Sequence, residues 1–352
     1  MSDIPSDPRS HEPAITATGT KGPDPAPIAF PILTDLCASE GLTALAVLAP
    51  VPESLPAAGM DLLTADGIGD MDWLATTRAM RLDPRALLPS ARAIVVVALP
   101  YAPTAADGYL RRARYAAGKD YHNVLRPKLG RVGRALNARF GVDWHHRATT
   151  DSAPMNERSL ARLAGLGWIG RNALVISPDA GSYHVLGTLL TEAPLAAHHA
   201  GHGADRCGAC TACEKRCPTA AIHDRRIVSE RCISYLTIEH RGPIPRALAA
   251  RFEGWWFGCD LCQEVCPWNR FAPPPGDPRL TGGDADADLL AVTAERFDAH
   301  FAARAVRRIG YERFRRNLLV ALWSLGRHGE YAPILAEGLP LVQDQARELG
   351  LG

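Results

Sequence analysis

An α/β domain, followed by a cysteine-rich metal-binding module and a helical C-terminal segment, is the architecture that the 352-residue sequence predicts. Three observations predict it. Short, nearly continuous apolar runs at residues 45–49 and 94–99 alternate with helix-periodic stretches over the first 200 residues, as strands buried on both faces do. Eight of the nine cysteines crowd into residues 207–266. From about residue 289 onward the apolar spacing is helical.

Composition bounds the class. An apolar fraction of 47% and a charged fraction of 22% suit a soluble chain with a sizeable core. The formal net charge of +1 means that any polyanionic partner must be sought in local patches. No apolar run approaches the ~18 residues of a membrane span. Residues 1–28 are rich in Pro, Ser, Asp and Thr and lack the charged start and apolar core of a secretory signal. They read as a disordered tail, because they bury too little to offset the entropy of ordering. A cytosolic protein, away from membranes and monomeric, is expected.

The α/β domain spans residues 29–200. Its helices are expected at 32–40, 73–81, 108–117 and 124–140, with further strands at 173–177 and 184–190, where the pattern also allows a helix. A Gly/His/Ala linker at 196–204 leads into a cysteine module at 201–272. A loop crowded with Pro, Gly and Asp follows at 271–288. In the C-terminal segment, 285–352, residues 314–325 form the strongest amphipathic helix.

The cysteine spacing identifies the module. Cys207-x2-Cys210-x2-Cys213-x3-Cys217-Pro218 matches the bacterial ferredoxin run, in which three thiolates grip one [4Fe–4S] cubane and the fourth ligates the other. The second half, Cys259-x2-Cys262-x3-Cys266-Pro267, lacks one ligand: counted back from Cys-Pro, its slot holds Trp256. Cys232 is the remaining cysteine within reach. By the crossover rule, cluster one takes Cys207, Cys210, Cys213 and Cys266, and cluster two takes Cys217, Cys232, Cys259 and Cys262. Cys-x2-Cys is also a zinc spacing, but two Cys-x3-Cys-Pro endings are rare in zinc modules. In a reducing cytosol, clustered thiols point to metal rather than disulfides. Cys37, alone on an apolar helical face, reads as a small buried hydrophobe.

A ferredoxin-like electron carrier needs only a short chain, so the residues ahead of the array should hold the electron acceptor. Glycines at 165, 167, 170 and 181 mark loops where the backbone approaches something closely. They do not follow a strand as a dinucleotide fingerprint requires. Asp151, before Ser and Pro, is an ordinary turn former. Its functional reading is an acid near a reactive centre, with its pKa raised by burial.

Residues 114–122 (RYAAGKDYH), 151–158 (DSAPMNER) and 167–172 (GWIGRN), followed by the double-cluster array, resemble the epoxyqueuosine reductase family. The likeness runs from about residue 30 to 325. It implies a nitroreductase-like α/β domain that binds cobalamin. It also implies the last step of queuosine synthesis, reduction of an epoxide to an alkene at the wobble position of a tRNA anticodon loop. Electrons would pass from the two clusters to cobalamin, and Asp151 matches the family's proton donor. The matching corrinoid positions are Leu74, Tyr115, Asp151, Asn156, Ser182, Ser234, Asp260 and Leu261. Asp260 and Leu261 also lie between two ligands of cluster two, where a cofactor must approach for electrons to tunnel. The chain departs from the family in its long Pro-rich tail and in residues 71–74 (MDWL), which match only loosely. The aromatic run 255–257 reads as packing.

His122, His145, His146 and His184 are candidate cobalt ligands, although a histidine is more often a satisfied polar residue. A tRNA partner needs basic patches. Arg304, Arg307, Arg308, Arg313, Arg315 and Arg316 make one cluster. Arg111, Arg112, Arg114, Lys119, Arg126 and Lys128 make another. Either is also readable as a solvated helix face. Arg313, Arg315 and Arg316 are taken as tRNA contacts, together with Arg241, which falls at a family position associated with tRNA. A low-potential electron donor is required. The competing readings are a corrinoid-dependent, dehalogenase-like reductase of a small molecule and a non-enzymatic electron-transfer protein.

Overall fold

The computed structural model describes residues 26–55, 68–101, 108–223 and 225–351. The tail expected to be disordered falls, up to residue 25, outside the described residues.

Four strands form the central sheet: β1 (Ala44–Leu48), β2 (Ala93–Pro100), β3 (His146–Thr149) and β4 (His184–Thr191). Their order is β1-β2-β4-β3, and every pairing is antiparallel. In β2, successive side chains point to opposite faces, and both faces are covered. Val95 and Val97 pack with Leu33, Cys37, Leu125 and Leu129, from helices α1 (Phe30–Ala38) and α2 (His122–Phe140). Ile94 and Val96 pack on the other side with Leu160 and Ala161 of α3 (Glu157–Leu163). This explains the unbroken apolar run, and Cys37 is the buried small hydrophobe expected, with no exposure.

Helix α2 carries its apolar residues at Val124, Leu125, Leu129, Val132 and Leu136, a single stripe at helical spacing. It stops at Gly141, which adopts the left-handed conformation (φ 65°) and donates its N–H to the Asn137 carbonyl. It lies so close to the sheet that a Cβ on Gly187 would stand 2.8 Å from Leu125.

Three expected elements differ. Residues 108–117 are not a helix. Arg111–Arg112 is a short strand that pairs in parallel with β5 (Trp255–Phe257), and a single 3-10 turn follows at Arg114–Ala116. Tertiary pairing overrides local propensity there. The helix expected at 73–81 is broken into Asp72–Thr76 and Arg78–Leu82, where Thr77 departs from helical geometry (φ −101°, ψ 7°) and its hydroxyl donates to the Trp73 carbonyl at 2.6 Å. The linker is not free: His198 exchanges backbone hydrogen bonds with Val47 at 2.8 and 3.0 Å. In the 173–177 stretch only Val175–Ile176 is strand. Strand β3 and helix α3 have no counterpart in the sequence reading.

A further core joins the cysteine module to the C-terminal helices. Trp256, with no exposure, sits 5.5 to 6.3 Å from the rings of Phe257, Phe301 and Phe314. Phe314, Leu318, Leu319 and Leu322 lie on α5 (Gly310–Ser324), the amphipathic helix expected there.

Candidate active site

The two cysteine sets assemble by different local devices. In the first, Cys207, Cys210, Cys213 and Cys266 line one cavity of about 100 Å³. Burial pushes the Cys213 thiol up to about 11, and the neighbouring Cys207 and Cys266 add to the rise. The indole N–H of Trp168 donates to the Cys207 sulfur at 3.4 Å. In the second, Cys232 is the N-cap residue of α4 (Ile233–Ile238); burial raises its thiol, and the N–H groups of Tyr235 and Ser234 oppose the rise. Burial raises Cys259 and Cys262 well above the ordinary thiol range, and both feel Cys232. Cys217 lies close enough to raise Cys232 and Cys262. Cys262 also feels Cys213 of the first set, so the two sets lie near each other.

Cys232, Cys259 and Cys262 also form part of the wall of a larger cavity, of about 840 Å³. Tyr115, Asp120, His122, Asp151 and Arg308 line the same cavity. Asp151 is in the left-handed region (φ 52°), which Asp tolerates better than most residues. Its N–H donates to Glu157 Oε1 at 2.9 Å, fixing the turn on the first residue of α3. The Asp151 side chain stays 59% exposed, directed into the cavity.

The electrostatics correct one expectation. The cavity walls partly desolvate the Asp151 carboxyl and push it up, but the nearby His122 imidazole and the Tyr121 hydrogen bond outweigh this, so the group lies below the usual carboxylate range rather than above it. The Tyr121 hydroxyl donates to Asp151 Oδ2 at 2.7 Å, and His122 Nε2 lies 3.5 Å from the same oxygen. Burial would lower His122, yet the Asp120 and Asp151 carboxylates lift it to about 9. Burial and the nearby Asp151 raise Glu157 to about 8. Proton-holding capacity at neutral pH thus sits around Asp151, not on it.

Two family models match. One, a 4Fe-4S double cluster binding domain, covers residues 206–269. The other, epoxyqueuosine reductase QueG, DUF1730, covers residues 81–152. The epoxyqueuosine reductase of Pseudomonas aeruginosa is 40% identical over 270 residues, 72% of this chain and 74% of that one. The chain belongs to the epoxyqueuosine reductase family. The Escherichia coli K12 member is 39% identical over 276 residues, 72% of this chain and 70% of its own. A solved epoxyqueuosine reductase with a tRNA-Tyr epoxyqueuosine-modified stem loop superposes with a TM-score of 0.77 at 26% identity, covering 91% of this chain and 89% of that one. The Bacillus subtilis enzyme, with its catalytic loop swung out of the active site, gives 0.74 at 27% identity, covering 87% and 83%.

The cofactors are two [4Fe–4S] clusters and cobalamin, which the family uses. The cavity fits a corrinoid. It is among the larger ligand pockets in size, and cluster-two thiols stand in its wall. Of the family-matched positions, Tyr115, Asp151, Ser234 and Asp260 line it. Asp260 accepts the Arg114 N–H at 2.8 Å, and burial lifts its carboxyl to about 6.

Leu74, Asn156, Ser182 and Leu261 are not in the wall. Leu74 is buried, and Met71 and Trp73 are the cavity-lining residues of that segment. Asn156 caps α3 by accepting from Ser159 N–H, and its buried Nδ2 has no partner among the described residues. The Ser182 hydroxyl donates to Gln263 Oε1 at 3.0 Å and so supports a wall residue from behind. Leu261 belongs to the aromatic core. The glycine loops pack against protein: a Cβ on Gly181 would stand 2.1 Å from Asn269, and one on Gly167 2.2 Å from the Ile176 carbonyl.

Of the four histidines, His122 alone lines the cavity. His145 and His146 bond Glu192 and Asn137, at 2.9 and 2.8 Å, and His184 is pushed by burial to about 4.

The arginine expectations need correction. Arg315 is 3% exposed and Arg316 not at all. Arg316 donates to the carbonyls of Leu236, His240 and Gly242, at 2.6 to 2.9 Å, and Arg315 to that of Leu290. Arg313 is half-buried and donates to the carbonyls of Ile238, Ile309 and Arg308. A guanidinium with five donors can finish helix ends as readily as phosphates. In the second basic cluster, Arg112 and Lys128 are likewise buried, on Asp284 and Asp277. Arg241 remains exposed. Asp120, Tyr121 and Gln263 were not identified from sequence, although the adjacent Asp-Tyr-His in the 114–122 run was the available signal.

Proposed function

We propose that this chain reduces epoxyqueuosine to queuosine in the anticodon loop of tRNA, the final step of queuosine synthesis. The single observation that carries the reading is one cavity whose lining includes both Cys232, Cys259 and Cys262 and Asp151. Removal of an epoxide oxygen takes two electrons and two protons and releases water. The lining holds both kinds of group that this needs.

Cys207, Cys210, Cys213 and Cys266 hold cluster one, and Cys217, Cys232, Cys259 and Cys262 hold cluster two. When bound, cobalamin would supply the strongly reducing centre, and Tyr115, Ser234 and Asp260 would hold it. Asp151 protonates the departing oxygen from its Oδ2 edge. The left-handed turn and the Glu157 contact hold that edge in the cavity. Arg308, which is half-exposed, and Arg241 offer cations to the phosphates of the loop, whose target base enters splayed out, as single-stranded RNA allows. A low-potential donor supplies the electrons. Among the described residues no helix is long and apolar enough to cross a membrane.

Anaerobic reconstitution with iron, sulfide and cobalamin, then assay on epoxyqueuosine-containing tRNA, tests the reading. Queuosine should form with cobalamin retained. A cobalamin-loaded, double-cluster enzyme that makes none overturns it.

A further inference from the structure

The proposed reaction consumes two protons, while Asp151 has one carboxyl whose neighbours favour its ionised form. A proton source must therefore reload it. We propose that His122, anchored by Asp120, is the positioning residue that delivers protons to Asp151. The inference rests on the reductase reading.

The geometry is that of a relay. His122 Nδ1 lies 2.6 Å from Asp120 Oδ1, and the same oxygen accepts the His122 backbone N–H at 2.9 Å. With Nδ1–H anchored there, Nε2 is directed at Asp151 Oδ2, 3.5 Å away. The Tyr121 ring stacks on the imidazole with centroids 4.2 Å apart, and its hydroxyl bonds Asp151 Oδ2. Ring orientation and the aim of Asp151 are thus fixed together. An aspartate that orients an imidazole and stabilises its cation is a recurrent device for proton transfer. Here the imidazole serves another carboxylate.

The bookkeeping closes. The Nε2–H bond breaks as the Asp151 Oδ2–H bond forms; that proton passes to the epoxide oxygen as its C–O bond breaks. The 23% exposed imidazole takes a proton from solvent and repeats the transfer, so two protons and two electrons give alkene and water.

The groups facing His122 and Asp151 set the charge state. Asp120 and Asp151 favour the imidazolium. Arg308 lies on the carboxylate side and lowers Asp151, as Tyr121 does by its hydrogen bond. Glu157 binds the Asp151 amide and, with Arg81, sits behind the turn. The folded value near 9 is above the ordinary ~6.5. The imidazolium is therefore the populated form at neutral pH and is lost as pH rises through about 9.

The test compares wild-type, Asp120→Asn and His122→Asn holoenzymes for queuosine formation across pH 6 to 10. In the wild type, kcat should fall through an alkaline limb near pH 9, the folded His122 value. D120N should move that limb down by about one unit or more. H122N should lower kcat about 10- to 100-fold, lose the limb, and keep the KM for tRNA and the cobalamin spectrum. ¹³C-histidine NMR of the wild-type holoenzyme should titrate His122 near pH 9, and lower in D120N. A midpoint below pH 7 in the wild type, an unmoved limb in D120N, or an unchanged kcat in H122N overturns the relay. An inactive wild type instead sinks the reductase reading, leaving the NMR midpoint to judge the Asp120–His122 pair.

Discussion

The two cysteine nests are built from nearly the same spacing and face different ways. The first surrounds about 100 Å³, with Arg171 and Arg206 beside it, and its Cys210 is exposed. The second opens on about 840 Å³ and shares its wall with the titratable residues. The difference begins at one position. Trp256 stands in the slot where the spacing would put a ligand and buries its indole in an aromatic core, while Cys232 stands at a helix N-terminus. The strand that holds Trp256 pairs with Arg111–Arg112, and Ser234, close to Cys232, lines the cavity. On the proposed reading, one nest receives electrons at the surface and the other delivers them inside.

The comparison breaks most sharply at the inner nest. Cys262→Ser should remove cluster two, drop iron from about eight to about four per chain, and abolish queuosine formation. Cys210→Ser, at the exposed corner, should keep cluster two, and the iron and electron-resonance signals separate the two outcomes. Next in size is Asp151→Asn, which should retain cobalamin and both clusters yet lose about 10²- to 10⁴-fold in kcat. Equal turnover in that variant would remove Asp151 from the chemistry.

Smaller effects distinguish buried from exposed arginines. Arg316→Leu should destabilise the fold by roughly 2–5 kcal/mol, because three carbonyls lose their partner, measured as a lower midpoint in thermal unfolding. Arg241→Ala should leave that midpoint in place. Instead it should reduce the salt slope of tRNA binding by about one.

The double-cluster module was legible in the sequence because cluster binding is written in short, local cysteine spacing. Strands β1, β2 and β4 could be placed because apolar runs bounded by turns report burial directly. The arginines misled because charge counts do not report exposure: Arg316 and Arg315 meet carbonyls brought together only by the folded chain. Residues 108–117 misled for the same reason, since their pairing partner lies more than 140 residues away. Asp151 lines the cavity, but its carboxyl is shifted down where burial alone led to an upward expectation. The two groups that determine that shift, Tyr121 and His122, are 30 residues distant or nearly so.

Arg316 and Arg313 together hold the carbonyl end of the helix whose first turn carries Cys232. The helix of residues 310–324 carries no cysteine, yet the helix that begins at Cys232 relies on its guanidinium groups to finish that carbonyl end.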